Sequence, residues 1–390
     1  MTRRSSRARA RDWLDLAALL DPLDHFPTPP ARDAGEWRHL YGFATAHLVA
    51  PTLYAVLAAR QRLDWLPEEV RAALAVLHQL NAEHNARLRA LLHETTARLN
   101  AVDVRPIALK GAIALLSEAD PLADPLAGAR MLGDLDLWVG DEDLPAAIQA
   151  LRAGGYRLPD NLHPNVWLLP PSHHAPPLLH PSGSGYVELH RHVLSARVPA
   201  GVLTGAQLTG AAHWLAWRGV QLGVPDLASR LIHNALHQQI SDQAFVSDRR
   251  SLRQLFEFAR WCAQPEAASL DWAGLLRDLD AVVMGEALRL NLLATQHLFG
   301  QPLPAGVRPT PAALAAEGRF WWRLDHPALD RWLDWQRHWH LQARRLPNLP
   351  RRLVTPAWYP MKWHQFKRAW WGGGTRGARP RDATGPRRSC

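Results

Sequence analysis

From about Arg11 to Leu99 the apolar positions recur at helical spacing. Leu14, Leu16, Leu19 and Leu20 form one set. Val70, Leu74, Leu77 and Leu80 form a second, continued by Leu88 with Leu91 or Leu92. The proline cluster PTPPARDAGEW separates the first helix from the rest, and Ala82 to Asn100 reads as a long amphipathic helix. The period then changes. VRPIALKG reads as a short strand ending in a glycine turn, and GAIALLSEA as a helix. LGDLDLWVG alternates with period two, as a strand does. DEDLPAAIQALRAGGY opens on acids and closes on Gly-Gly, as helices do. After a loop rich in Pro, His and Gly, with a further short strand expected around Val166 to Leu169, GSGYVELHRHVL alternates again. From Ala211 to about Arg345 the pattern reads as helical.

These elements predict an α+β chain in which a small mixed β-sheet core is flanked by N-terminal and C-terminal helical regions. The expected divisions are a helical region over 1–100, an α/β core over 101–200, a helical domain over 201–350 and a Trp-rich basic tail over 351–390. The tail is expected to lack order from about residue 372, where Gly, Pro and Arg dominate.

Charge sharpens this picture. Residues 351–390 hold ten Lys and Arg against Asp382, so they carry the whole net charge of +9, and the first 350 residues are neutral. A neutral body argues against a nucleic-acid groove. No stretch approaches the roughly 18–20 apolar residues that span a membrane. The N-terminus lacks the apolar segment of a secretion signal, and two cysteines, Cys262 and Cys390, build no disulfide framework. The expected compartment is therefore the cytoplasm. The interleaved Trp, Lys and Arg of PAWYPMKWHQFKRAWW suit either packing onto the helical body or an anionic membrane surface.

Only three of 45 basic residues are lysine, which draws attention to Lys110 beside Gly111. On the strand LGDLDLWV, Leu135, Leu137 and Val139 face one way, and Asp134, Asp136 and Trp138 the other. The two carboxylates thus share a face with Cα atoms about 6.5–7 Å apart. Two such charges on a half-buried sheet repel each other, and a divalent cation removes that cost. Mg2+ commonly sits on one or two carboxylates plus substrate phosphates. In YVELHRHV, Val187 and Leu189 face the core, and Glu188, His190 and His192 the opposite side. If that strand neighbours LGDLDLWV, Glu188 completes a three-carboxylate set suited to two metal ions. A glycine after a strand lets backbone approach a phosphate closely, with Lys110 adding a mobile charge. A D-x-D pair or a lone K-G is commonplace by itself; their ordered combination is more specific. The GxxxxGK[ST] loop is absent.

With these motifs in order, the sequence resembles the uncharacterised bacterial nucleotidyltransferase-like family often called NTP_transf_5, of the DNA polymerase β-type nucleotidyltransferase superfamily. ALKG, ARMLGDLDLWV, the DEDLPAAIQALRAGGY helix and YVELHRHV carry the resemblance over about Val104 to Val193, and more loosely to Cys262. It implies transfer of a nucleoside monophosphate from an NTP such as ATP to an acceptor, with two Mg2+ ions. Asp134, Asp136 and Glu188 match the catalytic, metal-binding set. Lys110, Gly111, Arg130 and Gly133 match the nucleotide-binding positions. Three positions differ from the superfamily pattern: Ala112 follows the turn glycine in place of a serine or a second glycine, Glu188 replaces an aspartate, and Glu257 stands where an aspartate is expected.

His190 and His237 are candidates for substrate contact. His233 and His237, four apart on a predicted helix, read as polar contacts to the core or as a solvated face, with a shared metal as the lesser alternative. Cys262 reads as a helix core residue. Two further readings stand beside the enzyme: a nucleotide-binding scaffold or regulator with little turnover, and a membrane-associated adaptor acting through the basic tail.

Overall fold

The computed structural model describes residues 6–117, 126–168, 172–247 and 249–326, with scattered positions between 329 and 339. The expectations for the Trp-rich segment and the basic tail fall outside the described residues.

Four helices come first: α1 (Ser6–Leu20), α2 (Ala34–Ala46), α3 (Ala50–Ala59) and α4 (Glu68–Asn100). Asp33 and Glu36 form a reciprocal capping box that starts α2 just past the proline cluster. Helix α4 runs for 33 residues, longer than the helix expected over 82–100. Its apolar stripe turns from the N-terminal helices (Val70, Leu74) to the sheet (Leu88, Leu91, Leu92, Leu99). Leu14 and Leu80 face outward.

The core follows: β1 (Ile107–Ala108), α5 (Gly111–Ala114), β2 (Asp134–Trp138), α6 (Leu144–Ala153), β3 (Leu178–Leu179), β4 (Tyr186–His190), α7 (Gly205–Ala211), β5 (His213–Trp217) and β6 (Val220–Val224). The strands form one mixed sheet in the order β3-β4-β2-β1-β6-β5. Strands β2 and β4 run parallel, as do β1 and β6; the other neighbours are antiparallel. One face (Ala108, Leu135, Leu137, Val139, Val187, Leu189, Leu222, Val224) packs on α4 and α6. The other (Ile107, Leu109, Trp138) packs beneath the C-terminal helices. These are α8 (Leu227–Leu236), α9 (Ala244–Ser247), α10 (Leu252–Cys262), α11 (Pro265–Ala268), α12 (Trp272–Ala281), α13 (Gly285–Phe299) and α14 (Pro311–Asp325). Helices α1–α3 share a third core with α10, α13 and α14. Cys262 is free, on the last turn of α10.

Three local expectations are corrected. The hairpin β5–β6 lies in the stretch read as helical from Ala211, so the sheet extends past the boundary expected at residue 200. Arg218 and Gly219 both adopt positive φ, 52° and 86°, the two-residue turn whose twist matches paired strands. HWLAW and VQLGV supply its two sides. The strand expected around Val166 to Leu169 is replaced over Pro164–Leu168 by a tight 3-10 turn, and Leu178–Leu179 pairs with β4 instead. The helix expected over GAIALLSEA reaches only Ala114 and continues as turns to Ser117.

No single helix among the described residues is long and apolar enough to cross a membrane; α2 and α3 reach that length only jointly, bent by 115°.

A buried ion pair ties α14 to the helical body. Glu317 is 2 % exposed and accepts from Arg250 at 2.5 Å, His297 at 2.9 Å and Trp321 at 2.7 Å. Burial alone would raise its carboxyl, but the bonds from His297 and Arg250 outweigh burial and hold it at about 2 against 4.5. A depressed carboxyl stabilises the fold above its unfolded value and loses that contribution as pH falls through its folded value. Acidification from about pH 4.5 towards 2 should therefore remove up to about 3 kcal/mol. In urea melts the gap between wild type and Glu317→Gln should close over that range. An equal gap at both ends would show that Glu317 is not the acid-sensitive contact.

Candidate active site

The chain leaves β1 at Leu109, whose amide donates to Asp136 O at 2.9 Å. It then turns sharply: Lys110 holds φ 47° and ψ −117°. A non-glycine residue there is strained by roughly 1–3 kcal/mol, and such strain persists only where surroundings enforce it. Gly111 has no room for a side chain. A Cβ would stand 2.1 Å from Leu132 Cδ2 and 2.2 Å from Arg130 Nη1. The turn therefore presses bare backbone against the segment leading into β2.

Helix α4 holds that segment. Asn85 Nδ2 donates to Gly128 O at 2.9 Å and Arg130 O at 2.8 Å, Asn81 Nδ2 to Ala129 O at 3.2 Å, and His84 Nε2 to Leu132 O at 3.1 Å. Both asparagines are buried. Buried carbonyls need partners, and this polar face supplies them where no strand does. Asn81, His84 and Asn85 were not singled out in the sequence. Their only signal is a run of polar residues one turn ahead of Leu88 on the buried stripe.

Register then sets the chemistry. Asp136 lies opposite Glu188 on the parallel pair β2–β4, and Asp134 opposite Tyr186. Asp136 is 4 % exposed; Asp134 and Glu188 are half-buried. Lys110 Nζ and His190 Nε2 both donate to Asp136 Oδ1, each at 2.7 Å. Burial favours the neutral form of Asp136, yet the hydrogen bond from His190 and the charge of Lys110 prevail and hold its carboxyl far below the usual range. Asp134 is pushed up by burial and then by the charge of Asp136, against the pull of Lys110, Arg130 and Arg253. Burial also raises Glu188, and both aspartates add to the shift while His174 opposes it. Burial lowers His190, leaving a neutral ring whose Nε2 hydrogen goes to Asp136. The site thus holds three carboxylates on one face, with charge concentrated on Asp136. Ligand atoms of Asp136, Glu188 and His190 lie within 4.8 Å of one another, a donor set able to hold a divalent ion.

A cavity of about 350 Å³ adjoins Lys110 and reaches under α8 and α10. Arg130, Arg230 and Arg253 line it, with His233, His237 and Glu257. Arg130 Nε donates to Glu257 at 2.5 Å, and Arg253 Nη1 to Met131 O at 2.9 Å. Glu257 is thus the partner of Arg130. His237 meets Asp242 at 3.2 Å and begins a one-turn π-helix, His237–Ser241. His233 is 6 % exposed and its Nε2 has no partner among the described residues. Arg230 and Arg253 carry no local signature in sequence; tertiary folding alone brings α8 and α10 to the aspartates.

Lys110, Arg130, Asp134, Asp136, Glu188 and His190 are therefore brought together, and His237 lines the adjoining cavity. Lys110 rests on Asp136 rather than standing free, because its ammonium offsets crowded negative charge. Gly133 borders the pair, but a Cβ there would meet nothing within 4 Å, so no steric demand requires glycine.

A family model described as uncharacterised nucleotidyltransferase matches residues 33–300. No curated protein matches the chain, and no solved structure matches it.

Proposed function

The chain belongs to the uncharacterised nucleotidyltransferase family, and from that premise we propose that it moves a nucleoside monophosphate from an NTP to an acceptor hydroxyl or phosphate on a small molecule, sugar phosphate or protein. The donor set fits divalent cations, with Asp134, Asp136 and Glu188 as the residues that would hold two Mg2+ ions. Such ions, when bound, neutralise phosphate charge and sharpen the attacking oxygen.

The chain's own residues supply the rest. Gly111, with no Cβ, lets the turn close against Leu132 and Arg130 and so sets the Arg130 guanidinium at the cavity wall. Lys110, once a cation relieves Asp136, is free to turn its ammonium to the polyphosphate. Arg130 and Arg253 line the adjoining cavity and offset further phosphate charge. Arg130 must partly release Glu257 to do so. Glu188, near His174, is the carboxylate we assign to the acceptor side.

The observation that carries this reading is the convergence of Lys110, Asp136 and Glu188 on one sheet face beside a cation-lined cavity. A cell lysate supplied with purified protein, Mg2+ and α-labelled NTP should yield labelled acceptor; γ-labelled NTP should not. Label from the γ-position, or from neither, would overturn nucleotidyl transfer. The scaffold reading is favoured by the Lys110–Asp136 pair, which keeps a carboxylate occupied. It predicts nucleotide binding with no labelled product.

A further inference from the structure

Two buried nitrogens on the wall of the cavity have no partner among the described residues. One is Nε2 of His233 on α8, a side chain 6 % exposed; the other is Nε of Arg253 on α10. Both residues line the same space of about 350 Å³. A buried donor without an acceptor is costly, and two of them from different helices call for one shared ligand. The wall is also positive. It carries Lys110, Arg130, Arg230 and Arg253 against two carboxylates, Asp242 and Glu257, a surplus of two charges. Both carboxylates are engaged: Glu257 accepts from Arg130, and Asp242 meets His237 at 3.2 Å. Arg230 is 2 % exposed and anchored through Nε to Pro225 O at 2.8 Å, which fixes its charge in place. Burial, then the charges of His237 and Lys110, hold His233 well below its ordinary value, so its ring is neutral. With its hydrogen on Nε2, that ring donates to an oxyanion without adding charge.

We propose that this cavity is a pyrophosphate pocket: it takes the two terminal phosphoryl groups of the donor nucleotide, with His233 Nε2 and Arg253 Nε donating to their oxygens, and it binds free pyrophosphate without a metal ion. The donors and cations come from the turn after β1, the segment before β2, α8 and α10. Acceptor oxygens spread over two phosphoryl groups match them better than those of one. The pocket narrows the donor to nucleoside triphosphates, since a diphosphate giving up its monophosphate would leave a single phosphoryl group there. That consequence rests on the transfer reading; the anion site does not.

The test titrates inorganic pyrophosphate into the full-length protein by calorimetry, with chelator present. Wild type should bind one pyrophosphate, at least tenfold more tightly than orthophosphate. His233→Leu and Arg253→Met should each weaken pyrophosphate by roughly 10–100-fold, the value of a hydrogen bond to a charged partner. Arg253 is only half-buried, so that variant keeps the test open if the histidine variant fails to fold. No uptake by wild type, equal uptake of orthophosphate, or unchanged affinity in either folded variant overturns the proposal. Stabilisation of wild type by NTP with Mg2+ is measured alongside. Pyrophosphate uptake without that stabilisation would remove the nucleotide reading and leave the anion pocket standing; the stabilisation without pyrophosphate uptake would do the reverse.

Discussion

Asp136→Asn should abolish the stabilisation of the protein by NTP with Mg2+ and lower nucleotidyl transfer by about 10³-fold or more. The group is the most buried carboxylate of the face and the one on which Lys110 and His190 converge. Metal ions contribute several kcal/mol to charge stabilisation, and each 1.36 kcal/mol is a factor of ten in rate. The neutral amide keeps the shape but surrenders the charge. It should also weaken the fold, because Asp136 accepts from both Lys110 and His190. Breaking a fully buried pair by removing one partner costs about 3–5 kcal/mol. Here Lys110 keeps access to solvent, so the low end of that range is expected. The melt without ligand should therefore fall, and adding NTP with Mg2+ should recover none of the loss. A variant that still gains stability from nucleotide would show that Asp136 does not hold the metal.

Gly111→Ala should lose nucleotide binding and also weaken the fold. The new methyl would enter space held by Leu132 Cδ2 and Arg130 Nη1. Neither yields freely. Leu132 belongs to the core on the α4 side of the sheet, and Arg130 is tied to Glu257. Overpacking of this kind costs about 1–3 kcal/mol. Displacing Arg130 also removes a cation from the cavity wall. The expected outcome is a melting point a few degrees lower, with no recovery on adding NTP and Mg2+. Recovery to the wild-type shift would mean that phosphate is bound elsewhere.

The carboxylate face was legible in sequence because strand period is rigid. LGDLDLWV places two acids on alternate positions, YVELHRHV sets Glu188 and His190 on one face, and the parallel pairing brings Asp136 opposite Glu188. The helix between them announces its end with Gly154 and Gly155, the latter at φ 85°. The hairpin β5–β6 was hidden for an opposite reason. Its Arg-Gly turn lacks the Asn-Gly or Asp-Gly signature, and five-residue apolar strands flanked by helices do not stand out by period. The other half of the site lies beyond local pattern altogether. Asn81 and Asn85 act on carbonyls more than 40 residues away. Arg253 reaches Met131 across 122 residues. The capture of Asp136 by Lys110 depends on where burial leaves charge uncompensated, which no spacing rule encodes.

The central claim is that the carboxylate face and the Lys110–Gly111 turn together hold a metal–nucleotide pair. Thermal denaturation of the wild-type protein with NTP, with Mg2+, and with both, reads this directly. A ligand at about 100 times its dissociation constant stabilises by about 2.7 kcal/mol. The melting point should rise with both present by more than the sum of the separate shifts. An unchanged melting point at millimolar NTP and Mg2+ would contradict the account.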